Sequence, residues 1–239
     1  MTPRATLTLG VYGSASTWVF NVAREMLNAA HGTEQVAAYY ADSVAKILTD
    51  PGVIGRYVVV KMHNGDASLA GFIHLAEPLL LLSLRDPRDA VVSMMTRFAV
   101  PFAQAASGVG RSARVVLACA EMGFPVLRYE DRFFDRPETL DTLAGALDVA
   151  LSPGVKAEIF ARYQTDAVRA LAASVETLPA ARLEGDPAVD VYDRVTQIHR
   201  NHIGDGASGK WRARLAPEEQ RQLCADLAPV LARFNYPPA

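Results

Sequence analysis

The chain has 239 residues, half of them hydrophobic, and a formal net charge of −2. That hydrophobic share excludes global disorder and supplies a core for one large α/β domain or two small ones. The near-neutral charge excludes a bulk electrostatic drive toward nucleic acid or an anionic membrane, though a small anionic ligand needs only a few placed cations.

The first residues, Met1-Thr2-Pro3-Arg4-Ala5, open no long apolar stretch, so a signal peptide is not expected. Thr6-Leu7-Thr8-Leu9-Gly10-Val11-Tyr12 reads as a strand that stops at Gly13. A helix is predicted over about 17–30, where Trp18, Val22, Met26 and Ala29 recur at helical spacing. Tyr57-Val58-Val59-Val60-Lys61 is a β-branched run after the breaker pair Pro51-Gly52. The run Leu79–Leu84 has the apolar character of a strand buried on both faces of a parallel sheet, and it is too short to span a bilayer. Pro125-Val126-Leu127-Arg128-Tyr129 is a fourth strand candidate, and helical patterns fill most of the second half. Pro217-Glu218-Glu219 opens the last clear helix. Strands alternating with helices predict a three-layer α/β/α sandwich with a central parallel sheet. It forms one domain over 1–239, with 178–210 a surface loop or a mobile lid. Cys119 and Cys224 are expected to be buried, reduced thiols of a cytoplasmic protein.

Open parallel sheets bind ligands at the carboxyl ends of their strands, so the residues after each strand matter most. After the first come Gly13-Ser14-Ala15-Ser16-Thr17-Trp18. Small residues let the backbone curl around an anion, the unpaired N–H groups and dipole of a helix start favour one, and the hydroxyls add donors. The same turn also reads as an ordinary helix cap. Against the ATP-binding pattern G-x-x-x-x-G-K-S/T, Gly10 and Thr17 match, but Ala15-Ser16 replace the Gly-Lys pair, which weakens a kinase reading.

After the second strand, Lys61 and His63 are two apart and face one side of an extended backbone. The pair suits a base that takes an acceptor proton beside a cation that stabilises transferred charge; a structural histidine is the alternative. After the third strand, Asp86, Pro87 and Asp89 read as helix-start chemistry. Arg85 and Ser93 are not explained that way, and together they form a grip for one phosphate.

These residues resemble the PAPS-dependent sulfotransferase family, PAPS being 3′-phosphoadenosine 5′-phosphosulfate. The family loop P-K-S-G-T-T-W is matched at Ser14, Thr17 and Trp18, with Ser16 conservative. Its K-T-H is similar to Lys61-Met62-His63, and its R-D/N-x-x-D-x-x-x-S segment to Arg85, Asp86, Asp89 and Ser93. Tyr129-Glu130-Asp131 resembles its Y-E-D, and residues 206–212, which include Lys210, Trp211 and Arg212, resemble the late R-K-G-x-x-G-D-W-K.

The resemblance implies PAPS as donor and PAP (3′-phosphoadenosine 5′-phosphate) as product. The 5′-phosphosulfate would rest on residues 13–18, and the 3′-phosphate on Arg85 and Ser93. His63 would be the base and Tyr129 a nucleotide contact. Trp18 would stack on adenine or belong to the core, with Phe160 placed across from it by spacing. Two departures stand out: Gly13 replaces the loop lysine, and Gly204-Asp205-Gly206 replaces R-K-G. The 3′-phosphate charge is then expected from His202, Lys210 or Arg212. The acceptor is a small-molecule or carrier-bound hydroxyl compound, bordered by residues 64–71 and 98–110. No metal is expected: His199 and His202 have helical spacing but no ligand cluster. An inactive PAP-binding module and a P-loop kinase relative are the alternatives.

Overall fold

The computed structural model describes residues 4–49, 56–186 and 190–238. The pair Pro51-Gly52, residues 1–3 and part of the expected loop (187–189) lie outside them. Five strands, β1 (Arg4–Gly10), β2 (Val36–Tyr40), β3 (Tyr57–Met62), β4 (Leu79–Leu84) and β5 (Val126–Arg128), form one sheet in the order β2-β3-β1-β4-β5. Every neighbouring pair is parallel. Consecutive strands β3 and β4 lie on either side of β1, so the switch point of the sheet opens at the carboxyl end of β1.

Helices cover both faces. They are α1 (Ser16–His31), α2 (Val44–Thr49), α3 (Leu69–Ala76), α4 (Pro87–Phe98), α5 (Phe102–Glu121), α6 (Glu138–Leu147), α7 (Pro153–Arg162) and α8 (Thr165–Ser174). A hairpin of β6 (Leu183–Asp186) and β7 (Asp190–Asp193) follows, then α9 (Trp211–Arg214), α10 (Pro217–Asp226) and α11 (Ala228–Arg233). Alternation along the strands sorts the core. Val59 and Leu81 meet Val19, Val22 and Met26 of α1, with Leu140, Ile159 and Val168 of α6 to α8 beyond them. Leu7, Leu9, Val58, Val60 and Leu82 face the other way, toward Leu69 and Ile73 of α3. The architecture is the expected three-layer α/β/α sandwich.

Strand β2 has no counterpart in the sequence reading. Its five residues, Val-Ala-Ala-Tyr-Tyr, are all half-buried, as suits an edge strand, and show no clean alternation. The 178–210 segment is more than a bare loop. It contains the β6–β7 hairpin, an ion pair between Arg182 and Asp193, and a 2.7 Å bond from the Asn21 amide to the Thr196 carbonyl.

Asp89 also does more than start a helix. It is fully buried, and its carboxylate accepts from Gly209 N at 2.6 Å and Trp211 N at 3.0 Å, tying the late segment to α4. Asp89→Ala strands both N–H groups and is expected to cost about 3 kcal/mol, read as a lower denaturation midpoint; hydrogen bonds to charged groups carry about 1.5–3 kcal/mol each.

Cys119 is buried, and burial pushes its thiol up to about 11; Cys224 is half-buried, and both are free. No helix among the described residues is long and apolar enough to cross a membrane.

Candidate active site at the strand ends

The turn after β1 is shaped by two left-handed residues, Gly13 (φ 70°) and Ala15 (φ 60°). A side chain at Gly10 would meet Ser83 Oγ at 2.4 Å and Ser16 Cβ at 2.5 Å, so the turn closes tightly only over glycine. Ala15 is the N-cap of α1 and has no side-chain acceptor, which leaves the first N–H groups of the helix without a cap. Gly13, Ala15, Ser16, Thr17 and Trp18 line a cavity of about 400 Å³. Ser14 does not. It is fully buried, and its hydroxyl bonds Val11 O at 2.6 Å and Ser83 Oγ at 2.8 Å, holding the turn from inside rather than offering a donor to a ligand.

Arg85 and Ser93 converge on the same turn. A Cβ built on Gly13 would lie 3.4 Å from Ser93 Oγ and 4.0 Å from Arg85 Nη1. Arg85 is buried; it donates to Ala207 O at 2.6 Å and, at 3.4 Å, to Gly13 O, and its guanidinium sits 4.3 Å from the Tyr129 ring centroid. Its Nε is buried without a partner. Asp86 is the expected cap, accepting from Arg88 N at 3.0 Å, and it also holds the buried Arg88 guanidinium.

Lys61 and His63 share the face of β3 that carries Val59, and both line the cavity. His63 is buried, stacked on Tyr12 at 4.1 Å, with Nδ1 2.7 Å from Gly10 O. A carbonyl only accepts, so Nδ1 carries the proton and Nε2 keeps a free lone pair. Burial first, then the Lys61 and Arg97 cations, push the imidazole well below its usual range, so it is neutral. Burial and Arg97 also lower the Lys61 ammonium to about 7. The Tyr40 ring lies 5.7 Å from the Lys61 ammonium, on the paired residue of β2.

Other placements differ from expectation. Phe160 is not among the lining residues and packs against the core instead; Phe134, Tyr163 and Tyr129 line the cavity along with Trp18. Trp18 itself is both buried in the core, edge-on to Phe133, and part of the wall. Trp211 is fully buried beneath the guanidinium groups of Arg88 and Arg212, so neither Trp211 nor Arg212 reaches the cavity.

His202 does line the cavity, but burial and Arg97 keep it neutral, so it supplies no cation. Lys210 lines the cavity too, 2.9 Å from Asp205, whose charge it offsets. Of residues 64–71 and 98–110, only Phe98 reaches the cavity. Tyr40, Arg97, Tyr163, Tyr192 and His199 line it without having been singled out as site residues. Arg97 was within reach of sequence reasoning, because it lies one helical turn beyond Ser93 on α4. Among the described residues no cluster of His, Cys, Asp and Glu is arranged to hold a metal.

No family model matches this chain, and no curated protein matches it. Solved structures do. Mouse sulfotransferase SULT7A1 complexed with PAP superposes with a TM-score of 0.67 at 12% identity, over 98% of this chain and 85% of that one. The chain has a sulfotransferase-type fold. Retinol dehydratase matches as well: with retinol and PAP at TM-score 0.55 and 15% identity, over 97% of this chain and 82% of that one; with androsterone and inactive cofactor PAP at 0.57 and 14%, over 97% and 81%. In this sulfotransferase-type fold the cavity lies at the carboxyl ends of β1, β3 and β4.

Proposed function

We propose that this chain is a sulfotransferase that takes PAPS as donor, passes a sulfuryl group to a hydroxyl of a small-molecule or carrier-bound acceptor, and releases PAP. One observation carries this reading: Gly13, Ala15, Ser16, Thr17, Trp18, Lys61, His63 and Arg85, which follow the ends of three strands, line a single cavity with Ser93 of α4. The residues fit such a donor. Arg85 Nε is buried without a partner, the α1 start is uncapped, and the space in front of Gly13 lies between Ser93 Oγ and Arg85.

Arg85 and Ser93 would hold the 3′-phosphate, and the 13–18 turn the 5′ end. Bound there, the donor supplies the sulfuryl group: the acceptor oxygen bonds to sulfur as the S–O bond to phosphate breaks, its electron pair passing to the phosphate oxygen. His63 Nε2 would take the acceptor proton, held in that tautomer by Gly10 O. Lys61 would place positive charge beside the moving group. Transfer of labelled sulfate from PAPS to a panel of phenols and alcohols tests the reading: turnover supports it, and none with any acceptor removes it.

The two titrations set the pH profile. His63 is already neutral well below pH 6.5, so its lone pair stays available. Lys61 loses its proton through about pH 7. Thus kcat/KM is expected to stay flat from pH 6 down to the His63 pKa and to fall as pH rises through about 7. In kcat the fall moves to higher pH, because a bound anion stabilises the ammonium. Lys61→Met should lower the rate and erase the alkaline fall; a fall that persists in that variant removes Lys61 from the chemistry.

A second reading, a PAP-binding domain without turnover, is favoured by Gly13. A lysine there would have to adopt φ 70° with its Cβ against Ser93, so the turn is built for glycine and holds no cation at that position.

A further inference from the structure

We propose that the acceptor carries an anionic oxygen group, a carboxylate in the simplest case, which Arg97 binds while His63 receives the hydroxyl; this rests on the sulfotransferase reading. Arg97 lines the cavity with Lys61 and His63. Its guanidinium lies against the Phe98 ring at 4.8 Å, and its one hydrogen-bond contact among the described residues is His202 Nδ1 at 3.3 Å. Its Nε is buried without a partner. A guanidinium held this way has donors to spare and a desolvation cost that an anion would offset.

The surroundings fit an anion. His202 Nδ1 accepts from both Arg97 and the His199 backbone N–H, so its own proton sits on Nε2, a further donor. The acid nearest in charge is Asp190, which is engaged by His199 Nδ1 at 2.6 Å. His199 is neutral, so Asp190 still offsets one of the two cations, and Lys61 in its protonated form leaves this end of the cavity with one positive charge in surplus. Tyr12, Tyr40, Phe98 and Tyr192 wall it with rings. A hydroxylated aromatic acid matches rings, cation and base together, whereas a neutral sterol-like alcohol leaves the Arg97 donors unmet.

The test uses para-hydroxyphenylpropanoate and its amide, which share the reacting phenol and differ in charge. With the PAP-loaded protein, calorimetry is expected to show the carboxylate binding at least about tenfold tighter, as one charge-assisted pair provides. Arg97→Met should bring that ratio near one, Arg97→Lys should keep part of it, and PAP affinity should hold in both. Equal binding of acid and amide by the unaltered protein, or a ratio that survives Arg97→Met, overturns the inference. Sulfate transfer to the same pair separates the two readings. If Arg97-dependent acid binding occurs without any transfer, the transferase reading fails while the anion site stands. If transfer occurs with no preference for the acid, the anion site fails while the transferase stands.

Discussion

Arg85→Ala is expected to weaken PAP binding by about a hundredfold while changing AMP binding by less than about threefold, measured by calorimetry. The two ligands differ in the 3′-phosphate. A guanidinium donating to a phosphate forms charge-assisted bonds of about 1.5–3 kcal/mol each, and 2.7 kcal/mol corresponds to a hundredfold. Arg85 is positioned for this by its own fold contacts. Ala207 O fixes one end of the guanidinium, the Tyr129 ring supports its face, and Ser93 Oγ stands beside the same turn. Loss of PAP and AMP binding in equal measure would show that Arg85 shapes the turn rather than reads the 3′-phosphate.

His63→Ala is expected to lower kcat by about a thousandfold or more and leave the Kd for PAP within about twofold. General-base catalysis contributes about 10²–10⁴-fold. The ring also supports the first turn through Gly10 O and Tyr12, so truncation alone confuses basicity with support. His63→Asn separates them, since its amide nitrogen takes the place of Nδ1 and can still donate to that carbonyl but cannot take a proton. Both variants should lose activity to the same extent, and an active Asn variant would remove His63 as the base.

Much of this was legible in the sequence for physical reasons. β3 and β4 are patterned by burial, with apolar residues on both faces, while β1 alternates threonine with leucine; the three end near Lys61, Arg85 and Gly13, at the end of a parallel sheet where ligands bind. Arg85 and Ser93 stood out because helix-start chemistry left them unexplained, and they do converge on Gly13.

What stayed hidden arrives from distant chain segments or through a change of environment. Tyr40 comes from an edge strand too mixed to show a period, and Tyr192 and His199 from a hairpin that spacing does not place over the sheet. Ser14 matched the loop pattern, yet its hydroxyl turned inward to Ser83. His202 was expected to bring charge, but burial beside Arg97 keeps it neutral. Phe160 was placed by spacing alone, and the fold sets Phe134 at the wall instead. Asp89 read as a cap residue because its partners, Gly209 and Trp211, lie 120 and 122 residues on.

On the proposed function, the strand-end cavity is built for a 3′-phosphorylated adenine nucleotide. Titrating the unaltered protein with PAP and then with ATP tests it most directly. PAP is expected to bind at least about tenfold more tightly than ATP, because Arg85 and Ser93 meet a 3′-phosphate that ATP lacks, and the turn lacks the lysine that reaches terminal phosphates. ATP binding as tightly as PAP, or more so, would contradict the account.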